Sequence, residues 1–209
     1  MKKLICLFLS LISISPLTFG QDTEKEDIVR KKYRATRIET SPDIDGILSE
    51  ELWNTGVWEN EFIQNRPYDA RPSKQRTEFK VLFDDNNLYV AIKCFDTSPD
   101  SIVNRLTRRD ETDGDLAGII IDSFHDLRTA FVFGLSSAGV KSDFLMSNDG
   151  FDENHSWDPN WWARTSVNDE GWIAEMKIPF SQLRFDKNSG DVWGFNVARI
   201  LYRHDELSF

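Results

Sequence analysis

Thr77-Glu78-Phe79-Lys80-Val81-Leu82-Phe83-Asp84-Asp85-Asn86-Asn87-Leu88-Tyr89-Val90-Ala91-Ile92-Lys93-Cys94-Phe95 is the stretch that decides the fold. Successive side chains alternate across an extended strand, so Phe79, Val81 and Phe83 share one face. Leu88, Val90, Ile92 and Cys94 repeat the pattern after Asp84-Asp85-Asn86-Asn87, a run of turn-forming residues. Two alternating runs around such a turn predict a β-hairpin.

The same pattern recurs further along the chain. Residues 116–121 are apolar throughout. Residues 129–135 alternate through Phe131 and Phe133, turn at 136–139, and return as 140–146. Residues 161–167 and 172–178 flank Asn168-Asp169-Glu170-Gly171, a further hairpin signal, and residues 192–201 alternate through Trp193, Phe195 and Val197. Helical signal is confined to one or two capped turns at residues 49–53 and a short turn at 179–183. No repeat and no low-complexity tract interrupts this order. Many short strands with so little helix predict an all-β chain, an antiparallel β-sandwich of two packed sheets.

The N-terminus carries a different signal. Met1-Lys2-Lys3 is basic, residues 4–19 are almost wholly apolar, and Gln21-Asp22-Thr23-Glu24 is abruptly polar. That apolar run is too short for a membrane span, and cleavage after Gly20 is expected. Residues 1–20 therefore read as a signal peptide, 21–32 as a linker, and 33–209 as the sandwich. Cys6 lies inside the apolar run and no Cys stands immediately after the cleavage point, so the product is expected to be exported, periplasmic or outer-membrane-associated, without a lipid anchor. The net charge is −10, and loss of Lys2 and Lys3 makes it −12. Such a balance excludes nucleic acid and anionic membrane as electrostatic partners. Cys94 alone remains after cleavage, so no intramolecular disulfide is available. The remaining 209 − 20 = 189 residues suit one domain with a full core. The chain closes on Leu207-Ser208-Phe209 just after an alternating strand, the pattern expected of a sandwich truncated at its C-terminal end within a longer polypeptide.

An ordered set of phrases carries a family resemblance. Ile44-Asp45-Gly46, Leu52-Trp53 and residues 80–90 are followed by Gly118-Ile119-Ile120-Ile121-Asp122, Gly171-Trp172-Ile173-Ala174-Glu175, Ile178-Pro179-Phe180 and Trp193-Gly194-Phe195-Asn196. In that order, from about residue 33 to 203, they resemble the family 9 carbohydrate-binding modules. Phe180-Ser181-Gln182-Leu183-Arg184-Phe185 and Arg128-Thr129-Ala130-Phe131 resemble most closely a branch at the N-terminus of long Bacteroidetes proteins, where a large β-rich region follows the module. The resemblance implies a jelly-roll-like sandwich, sugar binding, attachment to glycoside hydrolases and, in some members, structural calcium. It also implies a sugar clamped between two Trp rings. One such ring precedes the strand matched by residues 116–121, where this chain has Arg108-Arg109-Asp110-Glu111-Thr112-Asp113 and no aromatic; the other lies in a final stretch that this chain lacks. The clamp does not carry over.

Other residues offer a platform. Sugars present flat C–H faces that pack on aromatic rings, while polar neighbours bond their hydroxyls. Trp157-Asp158-Pro159-Asn160-Trp161-Trp162 supplies both, although alternation sends Trp161 and Trp162 to opposite faces, one of them into the core. Trp53, Trp172 and Trp193 sit at core-patterned positions. In the charged loop before residue 116, Arg109 and Asp113 are candidates for bonding sugar hydroxyls; the competing reading is a solvated loop whose charges pair with one another. For calcium the candidates are Asp84 and Asp85, and Asp149 and Asp152, the first pair being equally explained by turn preference. His125, His155 and His204 make no zinc pattern, and no nucleophile elbow, metal-binding His pair or phosphate loop is present. The expected function is that of an exported non-catalytic carbohydrate-binding module, with an oligosaccharide or polysaccharide as partner, in a longer protein of glycan breakdown or uptake. Two alternatives remain: a docking domain for the β-rich region with a degenerate sugar site, and a haem sandwich using Met146 and His155.

Overall fold

In the computed structural model, residues 31–185 and 192–209 are described; the expected signal peptide and most of the expected linker lie outside them. The strands run β1 (Thr36–Arg37), β2 (Gln64–Arg66), β3 (Thr77–Phe83), β4 (Asn87–Phe95), β5 (Leu116–Asp122), β6 (Ala130–Ser136), β7 (Lys141–Ser147), β8 (Asp152–Asn154), β9 (Trp162–Asn168), β10 (Gly171–Pro179), β11 (Gly194–Leu201) and β12 (Glu206–Ser208). They form a five-stranded sheet in the order β1-β3-β4-β10-β9 and a seven-stranded sheet in the order β2-β12-β11-β5-β6-β7-β8. Among the described residues only the short β1–β3 pairing is parallel. The chain is an all-β sandwich, as the alternation predicted. No helix among the described residues is long and apolar enough to cross a membrane.

The register places the predicted apolar face inward. Phe79 pairs with Ile92, Val81 with Val90 and Phe83 with Leu88, and β10 continues the rows with Ala174, Met176 and Ile178. From the other sheet Ala117, Ile119, Ile121, Phe133 and Leu135 are fully enclosed. Each large side chain buried in this way contributes about 1.5–3 kcal/mol. A cation also sits in this interior: Arg199 donates to Arg76 O at 3.0 Å, Thr77 Oγ1 at 3.0 Å and Phe95 O at 2.9 Å, joining the two sheets.

The outer face of the five-stranded sheet departs from simple alternation, because it is covered too. Leu82, Tyr89 and Ala91 are buried under Ile38 and Trp53, with Ile44, Leu48, Leu52 and Trp58 packed around them. Two ionisable side chains anchor this cover. Lys80 Nζ donates to Trp53 O at 2.8 Å and Thr55 O at 2.5 Å. Glu175, fully buried, accepts from the amides of Asp45 at 3.1 Å and Gly46 at 2.9 Å. Gly46 has φ +87°, and a Cβ there would lie 3.0 Å from the Thr165 carbonyl carbon, so the close approach requires glycine.

Some boundaries differ from the sequence expectation. The turn near residue 50 is a 3₁₀ helix, Glu51–Asn54, without a side-chain cap. After β11 the chain turns through Tyr202–His204, with Asp205 left-handed at φ 47°, and returns as β12 between β11 and β2. Phe209 and Ile63 then exchange backbone hydrogen bonds of 2.8 and 2.9 Å. Strands of three residues are too short for alternation to register, which is why this hairpin escaped the sequence reading.

Candidate functional site

The charged loop before β5 and the Trp segment before β9 meet at one edge of the sandwich. The Arg109 guanidinium grips Asp143 of β7 through Nη2, 2.8 Å from each carboxylate oxygen, and reaches Pro159 O at 3.1 Å and Asp158 at 2.7 Å. Asp143 is 1% exposed and also accepts from Trp161 Nε1 at 3.3 Å. Burial raises the Asp143 pKa against the pull of Arg109 and Trp161. The bond to Asp143 raises that of Arg109. Trp161, 1% exposed, packs edge-on against Phe133 at 5.3 Å, and Trp157 packs on Phe131 at 5.1 Å. Four of the expected site residues, Arg109, Trp157, Asp158 and Trp161, are thus brought together. Trp161 offers no ring face to a ligand, and Arg109 is spent on Asp143.

The remaining two lie elsewhere. Trp162 is 48% exposed on the outer face of the five-stranded sheet, where its cross-strand partner is Lys177. Asp113 belongs to a second constellation, where it accepts from Arg105 Nη1 at 2.8 Å beside the Tyr202 phenol. The Tyr202 ring is 42% exposed, with the Arg105 guanidinium 5.7 Å from its centre. The neighbouring Tyr202 phenol, then Arg105, lowers the Asp113 pKa, and Asp113 in turn raises that of the phenol. Beside them a shallow depression of about 420 Å³ is lined by Arg66, Thr112, Gly114, Ile200, Tyr202 and Asp205. Arg66 and Asp205 pair at 3.5 Å, so the charges around the depression balance.

Local geometry holds this loop in place. Buried Asp115 accepts from the Val103 amide at 2.8 Å, and Ser137 Oγ donates to Val103 O at 3.2 Å. Gly114 has φ +152°, and a Cβ there would stand 2.2 Å from Val103 O, so only glycine lets the loop close. An open aromatic ring, a carboxylate, guanidinium groups and the Thr112 hydroxyl around a concavity are the parts needed to stack a sugar and bond its hydroxyls.

Residues 44–205 match the family described as carbohydrate family 9 binding domain-like. The chain belongs to this family. Among solved structures it is similar to a family 9 carbohydrate-binding module from Caldicellulosiruptor kristjanssonii in complex with glucose, at 19% identity and TM-score 0.57, covering 83% of each chain. The same holds for a family 9 module from that organism in complex with cellotriose, at 19% identity and TM-score 0.57, covering 84% of this chain and 82% of that one. A candidate carbohydrate-binding protein from Bacteroides uniformis ATCC 8492 is similar at 12% identity and TM-score 0.60, covering 83% of this chain and 87% of that one. At these identities the likeness is one of fold. No curated protein matches the chain.

Of the two acidic pairs considered for calcium, Asp84 with Asp85 and Asp149 with Asp152, three carboxylates are engaged by other partners. Asp84 accepts from the amides of Asn86 and Asn87, each at 2.7 Å, and from the Tyr89 hydroxyl at 2.6 Å. Burial opposes its ionisation, but these bonds prevail and bring its pKa to about 2. Asp85 pairs with Arg37 at 2.6 Å, Asp149 with Arg128 at 3.4 Å, and Asp152 is exposed on β8. Among the described residues no three His, Cys, Asp or Glu side chains form a metal-holding group. His155 is engaged by Glu153 at 3.1 Å and stacks on Phe144 with centroids 4.8 Å apart. Tyr202, Arg105, Arg66 and Asp205 were missed in the sequence. Tyr202 is an aromatic just past the end of the alternating run 192–201, where no further strand was expected to hold it in place.

Proposed function

We propose that the chain is an exported, non-catalytic sugar-binding domain that holds carbohydrate in the depression beside Tyr202. One observation carries this reading: the open Tyr202 ring stands beside the Arg105–Asp113 pair at the rim of a charge-balanced concavity. Stacking on one ring face with hydroxyls bonded by Asp113, Asp205, Arg66 and Thr112 suits a neutral sugar, because each cation there already has a carboxylate. Family membership and the glucose and cellotriose complexes of structurally similar modules support carbohydrate as the ligand class. Export to the periplasm or outer membrane is supported by the basic–apolar–polar order of residues 1–24. A role in glycan breakdown or uptake, beside a β-rich partner region, follows from the family resemblance.

The test is isothermal titration with glucose, cellotriose and a panel of neutral oligosaccharides. Wild type is expected to bind at least one of them, and Tyr202→Ala to weaken that binding about five- to ten-fold, the scale of a lost stacking contact. Unchanged affinity in that variant, with its thermal midpoint preserved, would place the sugar elsewhere. No binding to any neutral probe would remove the reading.

A further inference from the structure

The cover on the outer face of the five-stranded sheet reaches β9 at Thr165 and Ser166 through Gly46, but leaves the first residues of that strand open. There Trp162, Arg164 and Lys177 are left side by side: Trp162 and Arg164 are next-but-one on β9, and Lys177 pairs with Trp162 across β10. Trp162 and Arg164 are exposed and Lys177 half-buried. The Lys177 ammonium stands 5.8 Å from the Trp162 ring centre and 5.7 Å from that of Tyr89, so aromatic faces position it. Elsewhere Arg37, Arg66, Arg105, Arg109, Arg128 and Arg203 each have a carboxylate within ion-pair distance. Among the described residues Lys177 and Arg164 make no ion pair; the one bond that Arg164 donates is to the Ala163 carbonyl at 3.0 Å. The nearest acid in the register, Glu175 opposite Arg164, is buried beneath Asp45 and Gly46. Two uncompensated cations beside an open indole are thus concentrated in a chain of net charge −10.

We propose that this strip is a second glycan platform, separate from the Tyr202 depression and selective for anionic sugars, carrying either carboxylates or sulfate esters. The inference rests on the reading of the chain as a sugar binder, but not on the depression. The indole offers a stacking face for the pyranose ring. Lys177 and Arg164 supply charge-assisted bonds to the anionic substituent, with the guanidinium fork suited to a planar carboxylate. The overall negative charge does not forbid this, because at about 0.15 M salt it is screened beyond about 8 Å, leaving the local cations dominant.

Affinity electrophoresis and titration with polygalacturonate, dextran sulfate, unmodified dextran and cellotriose test the proposal. Wild type is expected to bind at least one anionic probe more tightly than dextran, with affinity falling as salt rises. Preference for polygalacturonate identifies the carboxylate, and preference for dextran sulfate the sulfate ester. Trp162→Ala should weaken the anionic probe about ten-fold, Trp162→Phe much less, since it keeps a ring. Lys177→Gln with Arg164→Gln should weaken it comparably and flatten the salt dependence. Tyr202→Ala should leave it unchanged. The proposal is overturned by no anionic binding in wild type, by full binding in folded Trp162→Ala, by full binding in the double Gln variant, or by loss of anionic binding in Tyr202→Ala. Absence of cellotriose binding alone counts against the depression and not against this strip.

Discussion

The edge around Arg109 and the end around Tyr202 use the same kinds of side chain: an aromatic ring, a guanidinium and a carboxylate. At the edge the carboxylate belongs to Asp143, enclosed on the inner face of β7, and ring and guanidinium both turn inward to satisfy it. At the end the carboxylate belongs to Asp113, half-exposed on a loop, and ring and guanidinium stay open to solvent. Burial of the acid decides the outcome. A buried carboxylate must be neutralised from within, whereas an exposed one orients its partners and leaves them free for a ligand.

The largest effect expected from this contrast is on stability. Arg109→Ala strands the enclosed Asp143 with Trp161 as its remaining side-chain donor, and should cost about 3 kcal/mol in chemical denaturation. Neutral-sugar affinity should be unchanged. If the variant lost cellotriose binding while keeping its stability, the two regions would have to exchange roles.

Glu175 carries the contrast to its limit, since it is buried with two amide donors and no cation. Burial, with Glu50 and Asp45 adding repulsion, lifts its pKa to about 7 despite the amide bonds. A carboxyl whose folded value lies above its unfolded one stabilises fully below the unfolded value and loses that contribution as pH rises through the folded value. Stability should therefore fall by about 2 kcal/mol between about pH 5 and about pH 7, and Glu175→Gln should flatten that window. Asp84, brought down to about 2, acts in the opposite sense and over a lower range, losing its contribution as pH falls from about 4 towards 2. An unchanged slope in Glu175→Gln would mean that the carboxylate stays ionised under the cover.

The sandwich was legible because its long strands obey a two-residue period: the inward rows of β3, β4 and β10 are the apolar residues that alternation selects. The opposite fates of Trp161 and Trp162 were legible for the same reason. The cover over Leu82, Tyr89 and Ala91 was not, because it is held by Lys80 and Glu175, whose partners are backbone groups more than twenty residues away. Nor was the split of one charged loop between two places. Arg109 and Asp113 are four residues apart in sequence, but Asp143 claims the first and Tyr202 the second. Local composition identifies such groups without saying which of them a distant strand will bury.

The smallest predicted effect is the one that most sharpens the comparison. The Asp113 carboxylate beside the Tyr202 hydroxyl raises the phenol above its ordinary range. Asp113→Asn removes the charge, so in an ultraviolet titration one tyrosine should shift down towards the ordinary value of about 10. Tyr89, held at about 12 by burial and Asp84, should not move. Stability should be unaltered, because exposed pairs contribute little. Neutral-sugar affinity should fall only about two- to three-fold, less than in Tyr202→Ala, since the ring remains and only its orientation is loosened. A shifted phenol with unchanged affinity would mean that the ring binds without needing to be held. An unshifted phenol with lowered affinity would mean that Asp113 bonds the sugar directly and that its link to Tyr202 is incidental.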